Sequence, residues 1–297
     1  MQLTINDKNF TLLYGYQKDT KLRHSFNQLV EQVFHFSFED WYQLGYWNEK
    51  YIPYTLFDDE KAVANVSINL MDFDHLGKNK HYLQIGTVMT DEAYRGLGLS
   101  RLLMEYVLGE WKDKAEQMYL YANKTVTQMY PKFGFKSVKE HSHYKYISKS
   151  ETKLHYKKLD MTDTEQRAML YRYAKTSKSF SQLSMSENAD IVMFYCTSFL
   201  KDNVFYIEDL DTIAIAQFHD GQALLWDVFG PDIVDLDDVL SIFADNHIDQ
   251  IKLGFTPLDP SSYEVEELQG EDTLFILYER ENPFEENKLM FPLLSHA

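Results

Sequence analysis

The 297 residues predict an α+β chain built on mixed sheets, in two units of similar design. Three observations predict it. Apolar residues alternate at period two in some runs and recur at helical spacing in others, so strands and helices are interspersed along the chain. The order of these runs in the first half nearly recurs in the second. The length suits two ordinary domains of roughly 150 residues each.

In the first half, runs at 2–5 and 11–16 flank the polar break NDKN and read as an edge hairpin. Helical spacing follows at 20–34, with a second, aromatic-rich helical stretch at 38–47. PYTLF, AVANVSINLMDF and HYLQIGTVMT read as three strands, separated by the hairpin connections DDEK and DHLGKNK. A glycine-rich turn leads into a helix ending near Trp111; QMYLYAN is a buried strand, KTVTQMYPKF a short helix stopped near Pro131, and FKSVKEHSHYKYISK two final strands. The second half repeats this order at the level of elements: strand LHYKKLD, helices at 163–174 and 187–200, strands VFYIED, TIAIAQF and ALLWDVF, a helix at 234–244, strand QIKLGF, then YEVEEL and TLFILYE. The polar stretch 148–153 sets the expected boundary, giving domains at 1–150 and 151–297.

Composition narrows the function classes. A hydrophobic share of 44% with 15% aromatics belongs to a packed globular protein. No apolar run approaches the roughly 18 residues of a membrane span, and MQLTINDKNF lacks the basic and apolar regions of a secretory leader, so a cytoplasmic protein with no membrane partner is expected. The formal net charge of −17 disfavours nucleic acid, whose binding rests on Lys and Arg, and would attract a cationic molecule or basic peptide; it equally serves solubility. The single cysteine, Cys196, sits in apolar VMFYCTSFL and reads as packing. His141 and His143 share a strand face, but no third ligand accompanies them, so no metal is expected.

The chemistry concentrates in TVMTDEAYRGLGLSRLLMEYV, where Arg95, Gly96 and Gly98 lie between a strand and a helix start. Such a turn aims several backbone N–H groups one way, the helix dipole adds partial positive charge, and the arginine adds a permanent donor, together an anion cradle.

The run Arg95, Gly96, Leu97, Gly98, Leu99, Ser100 resembles the motif Q/RxxGxG/A of the GNAT superfamily of N-acetyltransferases, with Ser100 in place of the usual Gly or Ala. ANKTVTQMYPKFGF resembles the family's second motif through Asn123, Tyr130 and the ending Phe133, Gly134, Phe135. The resemblance implies the acyl-CoA N-acyltransferase fold for the first half and acetyl-CoA as cosubstrate. It places Val88, Met89 and Thr90 along the pantetheine, residues 95–100 at the pyrophosphate, Asn123 beside the pantetheine arm, and Tyr130 as the acid that protonates the departing thiolate. Direct attack by a primary amine through a tetrahedral intermediate follows, with the Met89 N–H stabilising the oxyanion. Where several family members carry a glutamate base, this chain has Gln84. Substitutes for the base are Glu39, Asp40, Glu49, Glu140 and His141.

The aromatic stretch FHFSFEDWYQLGYWNEKYIPY suits either an acceptor cleft for an amine or packing between the halves. In the second half the turn DVFGPDIVDLDDV has five aspartates and neither Lys nor Arg, so a degenerate GNAT-like domain that binds no acetyl-CoA is expected. The apolar end NKLMFPLLSHA is expected to dock. In tandem enhanced-intracellular-survival acetyltransferases, which the two halves resemble, the terminal carboxylate is the base; the resemblance offers Ala297 for that role, but without their third domain in this chain the role is not expected of it. A non-catalytic acetyl-CoA sensor or docking protein stays open as the alternative function, and the oligomeric state is not readable.

Overall fold

The computed structural model describes residues 1–147, 154–244, 248–284 and 287–296. The expected boundary at 148–153 and the Ala297 carboxylate lie outside the described residues.

The chain opens with the hairpin β1 (Gln2–Ile5) and β2 (Lys8–Leu13), followed by α1 (Thr20–Phe34) and the short α2 (Glu39–Gln43). Asp19 caps α1 by accepting from the N–H groups of Lys21 and Leu22, and the helix stops at His35, which turns left-handed. β3 (Tyr51–Asp58), β4 (Lys61–His75) and β5 (Lys78–Thr90) form an antiparallel meander. α3 (Leu99–Trp111) crosses to β6 (Gln117–Asn123), which lies parallel to β5. Residues 124–133, expected as a helix, are turns ending in a 3₁₀ turn at Tyr130–Phe133, because Pro131 at its start removes a donor that an α-helix would need. β7 (Phe135–Ser137) and β8 (His141–Tyr146) end the first half.

The second half supplies β9 (Tyr156–Lys158), α4 (Thr164–Thr176), β10 (Leu183–Ser186), α5 (Ala189–Thr197), β11 (Val204–Ile207), β12 (Thr212–His219) and β13 (Gln222–Phe229). Then come α6 (Leu236–Ser241), β14 (Gln250–Leu253), β15 (Glu264–Glu267) and β16 (Asp272–Leu277). The nine-stranded sheet runs β1-β2-β3-β4-β5-β6-β16-β7, with β10 added on β4, and the seven-stranded sheet runs β15-β8-β14-β13-β12-β11-β9.

The two sheets exchange strands. β16 inserts between β6 and β7, while β8 inserts between β14 and β15. Each of the expected domains, 1–150 and 151–297, therefore lends a strand to the other's sheet. Alternation marks a strand without naming its partner, which is why the exchange, and the short β10, did not emerge from sequence.

Two layers cover the larger sheet. On one face α3 packs Leu99, Leu103, Met104 and Val107 over the strands at helical spacing. On the other, Phe73, Tyr82 and Tyr119 meet Phe284, Leu289 and Phe291. The apolar chain end docks as expected: Phe291 stacks on Tyr119 at 4.1 Å, and Leu294 is buried. Most of the aromatic stretch joins the halves. Phe38, Trp41, Trp47 and Tyr51 cluster with Phe26 and with Phe194 of α5, and the Trp41 indole N–H donates to the Asp190 carbonyl at 2.8 Å.

Candidate functional site

β5 and β6 pair only where Tyr82–Ile85 face Gln117–Leu120. Beyond that point they diverge, and a cleft of about 930 Å³ opens, lined by residues 86–90 of β5 and 121–123 of β6. A bulge drives the divergence. The β4–β5 register shifts between Asn65 and Ser67, and Thr87 opposite adopts φ 48°, a conformation uncommon for a β-branched residue.

Buried polar side chains hold this bulge. Asn65 Nδ2 donates to the Thr87 carbonyl at 2.9 Å and to Ser67 Oγ at 2.8 Å. Ser67 Oγ donates to the Tyr51 hydroxyl at 2.9 Å, which lies 2.7 Å from Thr87 Oγ1. Thr55 Oγ1 donates to Asn65 Oδ1 at 2.7 Å, and Tyr16 closes the chain on Thr55. The polar letters in AVANVSINL thus serve a buried network rather than an exposed strand face, a role that sequence reading missed. Met89 turns its side chain into the aromatic cluster while its backbone runs along the cleft.

The glycine turn follows. Gly96 has φ +80° and Gly98 φ +78°, and nothing lies within 4 Å of a Cβ built at either, so conformation rather than crowding demands glycine and the space beside the backbone is clear. Gly98 also begins α3, whose first turn has neither a side-chain cap nor an acidic residue. Its first N–H groups lack intrahelical partners and face an electropositive end, a site for a phosphate. Ser100 fits: its hydroxyl lies 2.5 Å from Thr90 Oγ1 and ties the helix start to the end of β5. Arg95 lines the cleft with its side chain 63% exposed and only a long contact to Glu92, at 3.7 Å. Arg101, in the same first turn, also lines it and was not singled out from sequence. Leu97 packs its side chain on the core.

Asn123 lies at the end of β6, its Oδ1 accepting from the Thr125 N–H at 3.1 Å. Tyr130 lines the same cleft, 4% exposed, and burial pushes its phenol up to about 12, so it stays protonated at neutral pH. The cleft therefore gathers Tyr130, Val88, Met89, Thr90, Arg95, Gly96, Gly98, Leu99, Ser100 and Asn123.

The expected bases do not line it. Glu39 is bound by Arg23 at 2.9 Å, which lowers its pKa, and by Asn27 and Gln43. Asp40 and Glu49 are exposed elsewhere, and His141 lies in the smaller sheet. Glu140 is buried, accepting from the Tyr121 hydroxyl at 3.0 Å and the Phe291 N–H at 2.8 Å; burial raises it to about 7. Gln84 is fully buried, and among the described residues neither of its amide atoms has a partner. Tyr195 and His296, from the second half, do line the cleft. No local motif marks them, since only the docked chain end brings His296 there. Among the described residues no group of three or more His, Cys, Asp or Glu is placed to hold a metal ion. Nor, among the described residues, is any helix long and apolar enough to cross a membrane.

Residues 18–138 match the acetyltransferase (GNAT) domain family. Solved structures extend the likeness over both halves. A conserved protein of unknown function from Enterococcus faecalis V583 superposes with a TM-score of 0.56 at 11% identity, over 91% of this chain and 73% of that one. A GCN5-related N-acetyltransferase from Anabaena variabilis gives 0.55 at 16% identity, over 90% and 72%. Eis1 from Mycobacterium abscessus gives 0.52 at 12% identity, over 91% and 74%. These likenesses show the fold: two GNAT-like units in tandem, the second built on the smaller sheet. No curated protein matches the chain significantly.

Proposed function

We propose that this chain is an N-acetyltransferase of the cytoplasm, moving acetyl from acetyl-CoA to a primary amine by direct attack. What supports the reading is one juxtaposition: the diverging β5 and β6, the left-handed Gly96–Gly98 turn on an uncapped helix start, and buried Tyr130 share a single cleft. When bound, acetyl-CoA supplies the activated thioester. Residues 95–101 would bind its pyrophosphate through backbone N–H groups and the two guanidinium groups. Val88, Met89 and Thr90 would hold the pantetheine by strand-like bonds, and the Met89 N–H would steady the developing oxyanion. Asn123 would flank the pantetheine arm. Tyr130 would donate its proton to the leaving sulfur, for which a protonated phenol is required. The second half, on this reading, binds no acetyl-CoA and walls the acceptor side.

The test is release of CoA with a panel of primary amines, comparing the native chain with Tyr130→Phe. A fall of about 10²-fold in kcat with acetyl-CoA affinity unchanged is expected of a lost general acid. Tight acetyl-CoA binding without release from any amine would favour the sensor function instead.

A further inference from the structure

One wall of the cleft has no part in the mechanism above. Tyr195 of α5 and His296 of the docked chain end line it, beside Val33, Phe34 and Phe36 of the first half. His296 is held on three sides. Its ring stacks on Tyr121 with centroids 3.9 Å apart, and its carbonyl accepts from the Tyr195 hydroxyl. The segment bearing it is pinned where the Phe291 N–H donates to Glu140, the carboxylate that also accepts from Tyr121. Among the described residues His296 Nε2 is buried without a hydrogen-bond partner. Leaving such an atom unpaired is costly, and a purely structural ring would escape that cost by pairing.

An amine that attacks a thioester must lose a proton; Glu39 and Glu140 are engaged, Asp40 and Glu49 do not line the cleft, and the carboxylate that does line it, Asp272, sits opposite Asn123, on the proposed pantetheine side. We propose that His296 accepts that proton, an inference that rests on the acetyltransferase reading. The amine lone pair forms the C–N bond to the acetyl carbon while the carbonyl π pair moves to oxygen. The nitrogen, now cationic, passes one proton to the imidazole. The oxyanion pair then re-forms the carbonyl as the C–S bond breaks, its electron pair leaving with sulfur, which takes the Tyr130 proton. Solvent removes the imidazolium proton and restores that of Tyr130, so thioester and amine become amide and thiol. Burial lowers the His296 pKa to about 3, so the ring stands neutral with a free lone pair, though as a weak base. Such a ring is too weak a base to strip an alkylammonium ion, so its proton comes from the nitrogen after bonding to carbon, when that N–H is most acidic. Tyr94, Arg95, Arg101, Tyr121, Tyr130, Tyr195 and Asp272 are the other titratable groups lining the cleft.

The experiment uses the full chain, acetyl-CoA, and phenethylamine, hexylamine and spermidine as acceptors, with His296→Gln and His296→Ala beside the native protein. Thermal melts and calorimetric acetyl-CoA binding report fold and cosubstrate site, and both are expected to stay near native. kcat/KM is expected to fall about 10²-fold in both variants, the usual scale for a lost base. Added imidazole is expected to restore part of it in His296→Ala but not in His296→Gln. In a histidine-labelled sample holding CoA, an acceptor amine is expected to shift the His296 ring nitrogen signal. Native turnover in His296→Gln, or acetyl-CoA binding weakened tenfold, would overturn the role while leaving the transferase reading intact. No release from any amine by the native chain would overturn both.

Discussion

The two parallel strand pairs, β5–β6 and β13–β14, are built alike and end differently. Each pairs over a short ladder, and each follows a hairpin whose register shifts, between Asn65 and Ser67 in one and between Ile215 and Ala216 in the other. Past Ile85 the first pair opens into the cleft. Past Leu225 the second shuts: the Gly254 N–H donates to the Leu225 carbonyl at 2.7 Å, and a Cβ at Gly254 would stand 2.9 Å from the Trp226 carbonyl oxygen. The helix starts diverge as well. α3 begins uncapped and free of acids, whereas α6 is capped by Asp235 and carries Asp237 and Asp238 in its first turn. A helix end that already holds carboxylates has little attraction left for a phosphate. One topology thus serves opposite electrostatic ends through a strand tail and a helix's first turn.

Breaking the first pair's bulge should have the largest effect. Asn65→Leu leaves the Thr87 carbonyl and Ser67 without their amide donor, and a loss of about 3 kcal/mol in denaturant unfolding is expected, with weakened acetyl-CoA binding. Next is the seam where the chain end meets the open pair. Glu140 rises from 4.5 to about 7 on folding, so between those values the folded state keeps a proton that the unfolded state has released. Stability therefore falls as pH rises from about 5 to 8, by on the order of 2–3 kcal/mol, and Glu140→Gln should flatten that slope in melts across the range.

Giving α3 the charge of α6 sharpens the contrast. Ser100→Asp should weaken acetyl-CoA binding roughly 10- to 30-fold in calorimetry, by placing a carboxylate where a phosphate is expected, without loss of thermal stability. The smallest effect belongs to the closed pair. Gly254→Ala should cost about 1–2 kcal/mol by overpacking against Trp226 while leaving acetyl-CoA affinity at the native value.

Much of this was readable before the fold was known. Alternation and helical spacing located the meander β3–β5, α3 and β6, and the Arg95–Ser100 run with Asn123 and Tyr130 fell together in one cleft. These features are local: a period, a turn, a motif beside a helix start. What escaped was non-local. Asn65 and Ser67 resembled ordinary strand polarity until the bulge beside them appeared. His296 reaches the cleft across a chain separation that no spacing rule encodes, and β8 and β16 changed sheets without a mark in their own residues.

The exchange of β8 and β16 bears on how the protein is made. β6, which forms one lip of the cleft, has its outer edge covered by β16, through pairs such as Leu120 with Phe275. A ribosome that has released the whole matched stretch 18–138 has therefore released an unfinished sheet with a bare strand edge, exposed to wrong partners until about the last tenth of the chain emerges. Synthesis itself thus delays completion of the sheet that frames the cleft.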